Sequence, residues 1–212
     1  MNILLIGHRQ HGKTDVGHLL AKVLNTTAHD SSRFMCERVI FPALKDKYGY
    51  ATPQECYDDR GNHRQEWFEM IEAYNDEPDR LTRAILAEGS IYVGMRSRME
   101  FAGSNQHFDF IVWVDASKRV PEEPSTSMKL TKEDADYVLD NNGPFENLPH
   151  EIAKLVTWMQ ETEGNDRMKA TYDLDVAHHL ARGTLDQAVL RSMLSGQEDE
   201  LVRRLSELTP NL

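Results

Sequence analysis

Residues Gly7-His8-Arg9-Gln10-His11-Gly12-Lys13-Thr14 set two glycines, a lysine and a hydroxyl in the order G-x-x-x-x-G-K-[ST]. Glycines at both ends let the backbone turn tightly, so that successive N–H groups face inward as a nest for phosphate oxygens. Lys13 brings a point charge suited to β- and γ-phosphates, and the Thr14 hydroxyl stands where a Mg²⁺ ligand is needed. The chemistry is capture of a nucleoside triphosphate, with Gly7, His8, Arg9, Gln10, His11, Gly12, Lys13 and Thr14 as the phosphate-contacting set and ATP with Mg²⁺ as the expected ligands.

A second group of residues suits the far side of such a reaction. Arg60, His63 and Arg64 share one face if the turn or helix Asp58–Arg64 is helical, at i, i+3 and i+4. Arg96 and Arg98 follow an apolar run ending at Met95, which puts them at the carboxyl edge of a parallel sheet, where open α/β sheets bind ligands. Phosphoryl transfer spreads negative charge over the moving group, and guanidinium groups answer that charge. Lys13, Arg96, Arg60 and Arg64 are therefore the catalytic candidates, with Arg98 open between that role and a surface ion pair. Asp30, Asp58 and Asp59 are candidate bases or partners of Mg²⁺-bound water; each could equally be a solvated ion-pair member, and Asp30 a helix cap. Asp115 closes a hydrophobic run in the Walker B manner, as a Mg²⁺ partner for Thr14 or as the cap of the next turn. The nine histidines form no H-x-x-x-H or H-E-x-x-H pattern, which argues against a histidine metal site.

Elements must position these groups. Ile3–Ile6 reads as a buried strand, and Val16, Leu19, Leu20 and Val23 form one apolar helical face behind the loop. Asn25–His29 reads as a short second strand, Asp30-Ser31-Ser32 as the cap of a helix over 33–40, and Pro42 with Tyr48-Gly49-Tyr50 as an interruption. Thr52-Pro53-Gln54-Glu55 resembles a capping box, and residues 52–88 are mostly helical. Ser90–Met95, Phe108–Asp115 and Tyr137–Asp140 complete the strands, the last closed by the Asn141-Asn142-Gly143 turn. Between them, 116–131 is rich in Pro, Glu, Ser and Lys, a mobile lid or an inert loop. Alternating strands and helices imply an α/β fold with a parallel sheet of the P-loop NTPase type flanked by helices. The simplest division is a domain over 1–160 and a helical appendage over 161–212, packed on the sheet domain or serving as a homodimer surface.

A chain of 212 residues supports one well-buried core. The formal charge of −11 disfavours nonspecific capture of nucleic acid without excluding a local basic cleft. Cys36 and Cys56 make neither a zinc pattern nor a disulfide framework, and no apolar run reaches membrane-spanning length, so a cytoplasmic protein with no membrane partner is expected.

Gly7-His8-x-x-His11-Gly12-Lys13, Tyr48-Gly49-Tyr50, Glu55–Trp67, Val93-Gly94-Met95-Arg96-Ser97-Arg98-x-Glu100 and Asp134–Gly143 together resemble bacteriophage P-loop kinases of the deoxynucleoside monophosphate kinase type. The ending Ala135-Asp136-Tyr137-Val138-Leu139-x-Asn141-Asn142-Gly143 is similar to the closing strand of dephospho-CoA kinases, near which adenine is held. The resemblance spans about residues 1–158. It implies ATP phosphates on Gly7–Thr14, adenine near Asn141–Gly143 with Asn142 as a contact, and an acceptor facing Arg60, Arg64 and Arg96. It also implies a location in the host cytoplasm. Many relatives read G-K-D-T where this chain reads Gly12-Lys13-Thr14-Asp15, and Gly94 stands where deoxynucleotide kinases of the T4 type carry the acid of D-x-R. Two acceptors follow: a deoxynucleoside monophosphate, or 5-hydroxymethyluracil in phage DNA, whose neutral hydroxyl calls for a base such as Asp59. A nucleotide-dependent switch using the C-terminal helices as its partner surface is the third reading.

Overall fold

The computed structural model describes residues 1–125 and 127–163. The tail helices expected beyond 163, and with them the dimer surface, lie outside the described residues. Five parallel strands, β1 (Ile3–Ile6), β2 (Ala28–Asp30), β3 (Ile91–Val93), β4 (Phe110–Asp115) and β5 (Tyr137–Asp140), form one sheet in the order β2-β3-β1-β4-β5. The first strand is central: Ile3 aligns with both Ile91 and Phe110, and Ile6 with Trp113.

Side-chain alternation along the strands divides the core in two. Ile3, Leu5, Ile91, Val93, Val112 and Val114 pack against α1 (Lys13–Val23) and α8 (Leu148–Glu163). Leu4, Ile6, Tyr92 and Trp113 point the other way, into residues of the helical stretch between β2 and β3. That stretch comprises α2 (Ser31–Met35), α3 (Phe41–Tyr48), α4 (Pro53–Asp59), α5 (Arg64–Tyr74) and α6 (Arg80–Leu86). A further helix, α7 (Arg98–Ser104), follows β3. Both faces are thus covered, as a parallel sheet requires. Among the described residues, no helix is long and apolar enough to cross a membrane.

Three local expectations change. The second strand starts later than Asn25 because that residue takes a left-handed φ of 50° as α1 ends, with Thr26 N–H reaching back to the Ala21 carbonyl. Pro42 does not interrupt its helix. A π-turn over Cys36–Ile40, with the Phe41 N–H on the Cys36 carbonyl, widens the ladder just before the proline and joins α2 to α3. The shared face of Arg60, His63 and Arg64 does not form, since α4 ends at Asp59 and α5 begins at Arg64 with a turn between them. The cap at Thr52 forms as expected, accepting from the Glu55 N–H at 3.2 Å.

Candidate functional site

The carboxyl ends of the strands bring the loop with Lys13 and Thr14, Asp30, Arg96 and Asp115 to one edge of the sheet, while Asp59, Arg60 and Arg64 lie on the helical stretch between β2 and β3. From Ile6 the chain enters the loop 7–12 and then α1, so the strand–loop–helix order expected of the motif is present. Gly7 and Gly12 have φ of 140° and 85°, and a Cβ on them would lie 2.6 Å from the Val114 carbonyl oxygen and 2.3 Å from Asn141 Nδ2. Only glycine meets both demands.

Lys13 donates from Nζ to the His8 carbonyl at 2.6 Å, inside its own loop. Burial, reinforced by the Arg96 charge and opposed by Glu123 and Asp30, lowers its pKa from 10.5 to about 8. A lysine so poised gains from the arrival of a polyanion. Thr14 is exposed, and its Oγ1 lies 3.5 Å from Asp30 Oδ2. Asp30 ends β2 and caps α2, its Oδ1 accepting from the Ser32 and Arg33 amides at 3.0 and 3.1 Å, which leaves Oδ2 turned toward Thr14. This pair of oxygen donors fits Mg²⁺, which takes few protein ligands beside phosphate and water. Among the described residues, no group of three or more His, Cys, Asp or Glu is placed to hold a metal.

The carboxylate brought to Thr14 is therefore Asp30. Asp115 is engaged elsewhere: Lys132 Nζ lies 3.2 Å from its Oδ1, and the Ser117 amide and Asn142 Nδ2 donate to it at 3.3 Å. Burial raises its carboxyl, but those bonds outweigh it and hold the pKa below the ordinary carboxylate value. Gly94 offers no acid after β3, and Ser31 Oγ stands 3.3 Å from where its Cβ would be.

The loop histidines turn out to be fasteners. His11 is fully buried; its Nδ1 accepts from the Ala116 amide at 3.1 Å, and its Nε2 lies 3.3 Å from the Val120 carbonyl. With Nδ1 also 3.4 Å from the Val114 carbonyl, both ring nitrogens are engaged by β4 and the segment after it. His8 Nδ1 accepts from the Glu123 amide at 3.1 Å, and its ring meets Trp113 edge-on at 5.2 Å. Burial, opposed by the Glu122 charge, lowers the His8 pKa. The segment 116–125 is thereby folded onto the loop, and Glu123 completes the contact. Its Oε1 accepts from Arg96 Nη1 at 2.7 Å and its Oε2 from the Arg9 amide. Gln10 is exposed, with a left-handed φ of 63°.

Behind the loop, Asn141 rather than Asn142 is the brace. Asn141 is buried and donates from Nδ2 to the His11 carbonyl at 2.8 Å, while its own carbonyl accepts from Arg119 Nε at 2.7 Å. Asn142 ties the ends of β4 and β5, accepting from the Lys118 amide and donating to Asp115 and Asp140.

On the far side, two guanidinium groups lie over the Tyr57 ring, Arg33 at 4.6 Å and Arg60 at 3.9 Å from its centre. Arg60 also donates to the Tyr57 carbonyl at 2.7 Å. Asp30 lies close enough for its charge to help raise the Tyr57 hydroxyl pKa, after burial. Arg64 is exposed and has no carboxylate within ion-pair distance among the described residues. Asp59 is committed within the helices: Tyr50 OH at 2.6 Å, Asn62 Nδ2 at 2.5 Å and His63 Nε2 at 3.0 Å all contact it. These contacts, Tyr50 first, depress its pKa and hold it within the turn between α4 and α5. Arg98 is an ion-pair residue, held in a fork with Asp134 and on the Lys129 carbonyl at 2.8 Å.

Sequence reasoning missed Glu123, Arg119 and Arg33. The first two sit in a segment whose composition reads as loop, and only the strands on either side bring them to the edge. Arg33 stands one turn into a capped helix, where a cation gives no motif. The chain matches no model of a known protein family and no curated protein.

Proposed function

We propose that the chain is an ATP- and Mg²⁺-dependent phosphotransferase that moves the γ-phosphoryl group to a deoxynucleoside monophosphate. One observation carries the reading: Lys13 is within electrostatic reach of Arg96 and Asp30, and Asp30 in turn of Thr14 and Tyr57. The glycine loop is thus continuous with a second cationic patch at the same sheet edge, which supports the reading. Loop amides and Lys13 would hold the donor's phosphates, and Thr14 with Asp30 would hold the ion directly or through water. Mg²⁺, when bound there, would supply neutralisation of the phosphate charge. Arg96 would balance charge on the transferred group, and Arg33 and Arg60, propped on Tyr57, would orient the acceptor. An acceptor that is already a phosphate anion needs positioning and guanidinium groups more than a base.

Asp30, whose Oδ2 carries only the long contact to Thr14 at 3.5 Å, favours a second reading, transfer to a neutral hydroxyl such as 5-hydroxymethyluracil in DNA. There a carboxylate beside the transferred group would take the hydroxyl proton. Host cytoplasm and phage origin belong to the same proposal and rest on the resemblance of its motifs to those of phage kinases.

Incubation with γ-labelled ATP, Mg²⁺ and each deoxynucleoside monophosphate in turn, then with 5-hydroxymethyluracil DNA, tests both. Labelled deoxynucleoside diphosphate is expected. Label in DNA alone replaces the first reading by the second, and label in neither refutes both.

A further inference from the structure

We propose, resting on the phosphotransferase reading, that Glu123 is a built-in competitor of the nucleotide's terminal phosphate. Its carboxylate holds the anion subsite made by Arg96 and the Arg9 amide, and the strap 116–125 must release it before that phosphate can seat.

Three independent observations meet at Glu123. First, the donors it occupies are those a phosphate would use. Oε1 accepts from the Arg96 guanidinium at 2.7 Å and Oε2 from the Arg9 N–H of the glycine loop, so a two-oxygen anion bridges loop and arginine. Second, the anion sits beside the loop lysine: Glu123 and Lys13 each feel the other's charge. Burial works against the carboxylate, yet the hydrogen bonds from Arg96 and the Arg9 amide outweigh it and keep Glu123 ionised. Third, the strap is fastened to the loop at several points. Ala116 N–H and the Val120 carbonyl meet the two nitrogens of His11, and Glu123 N–H meets His8 Nδ1. The neighbouring Glu122 differs in kind. Its side chain is 60% exposed and reaches only His8 Nε2 at 3.9 Å, whereas the Glu123 side chain is 17% exposed.

Phosphate and carboxylate cannot both take the Arg9 N–H and this edge of Arg96. Nucleotide affinity is therefore reduced by the fraction of molecules in which the strap is fastened. Release would also swing the strap's backbone from His8, next to the buried Trp113. The device makes the site selective for ligands rich enough in charge to displace a carboxylate, a polyphosphate rather than a single phosphate.

Titration calorimetry with MgATP and with inorganic tripolyphosphate on wild type, E123Q, E122Q and K13M tests this. E123Q keeps the side chain's size but loses its charge and is expected to bind both ligands about tenfold tighter, a change of about 1.4 kcal/mol. E122Q, which removes the same charge one residue away, is expected to change affinity less than twofold. Binding detected only in E123Q also supports the strap. If wild type binds and K13M does not, yet E123Q binds equally or more weakly, or E122Q gains as much as E123Q, the strap proposal is overturned while the phosphotransferase reading stands. No binding by either wild type or E123Q, or equal binding by K13M, refutes the reading beneath it.

Discussion

Replacing Lys13 by methionine should remove nucleotide binding and, at pH 7, make the free protein more stable. Wild type holds an ammonium whose pKa has fallen from 10.5 to about 8, chiefly through burial. That displacement corresponds to about 3 kcal/mol of destabilisation carried by the charged form. Methionine keeps the length of the side chain and carries no charge, but it leaves the His8 carbonyl without the donor now 2.6 Å away, a loss of about 1 kcal/mol. The net expectation is a gain of about 1–2 kcal/mol. The sign with pH follows from proton counting. Between about 8 and 10.5 the unfolded chain keeps the Lys13 proton while the folded chain releases it. The unfolded state then binds more protons, so wild-type stability rises through that window. Urea unfolding of both proteins at several pH values, read as midpoint shifts at constant slope, measures the gap. It should be largest at or below pH 7 and close toward pH 10.5. A less stable K13M at pH 7, or a gap independent of pH, would refute this account of Lys13.

Four further outcomes follow from the same geometry. Gly12→Ala should cost at least about 2 kcal/mol, because its Cβ would stand 2.3 Å from Asn141 Nδ2 at a φ of 85°; calorimetric unfolding checks it. Asp30→Asn keeps an acceptor for the Ser32 and Arg33 amides, so it should leave stability within about 0.5 kcal/mol of wild type while lowering transfer at least tenfold; Asp30→Ala should add a capping loss of about 1 kcal/mol. Arg96→Met should cut transfer about a hundredfold, while Arg98→Ala, which breaks the tie to Asp134 and Lys129 and the contact with the Phe101 ring, should change turnover less than threefold in the same assay. ATP affinity should weaken above pH about 8, up to tenfold per pH unit, since a neutral Lys13 must regain its proton to bind; titrations in two buffers of different ionisation enthalpy would show the proton taken up.

The central strand, loop and first helix were legible because periodicity and glycine spacing there answer to local rules. Val16, Leu19, Leu20 and Val23 are all fully buried on one face of α1, and Ile152, Leu155, Val156 and Met159 do the same for α8. Pro42 misled because a proline's missing N–H and ring clash can be absorbed by a π-turn, which leaves no composition signal. Arg60 and Arg64 were read as one face because helical spacing continued on paper, while the helical run breaks between α4 and α5 over Arg60–His63, where Asp59 meets Tyr50, Asn62 and His63. Glu123 gave no signal in the sequence, and Asn141, read there as part of a closing turn near adenine, gave none of its hold on the loop. Each acts on the loop across more than a hundred residues, and such contacts are fixed by strand order rather than by spacing.

The central claim is that the loop and the arginines serve transfer of a phosphoryl group, and ³¹P magnetic resonance of the wild-type protein with ATP, Mg²⁺ and a mixture of the deoxynucleoside monophosphates tests it directly. The account predicts that the γ-phosphorus signal of ATP is lost as ADP and a deoxynucleoside diphosphate appear in equal amounts, with none of this in K13M. ATP left intact, or converted only to ADP and inorganic phosphate, would contradict it.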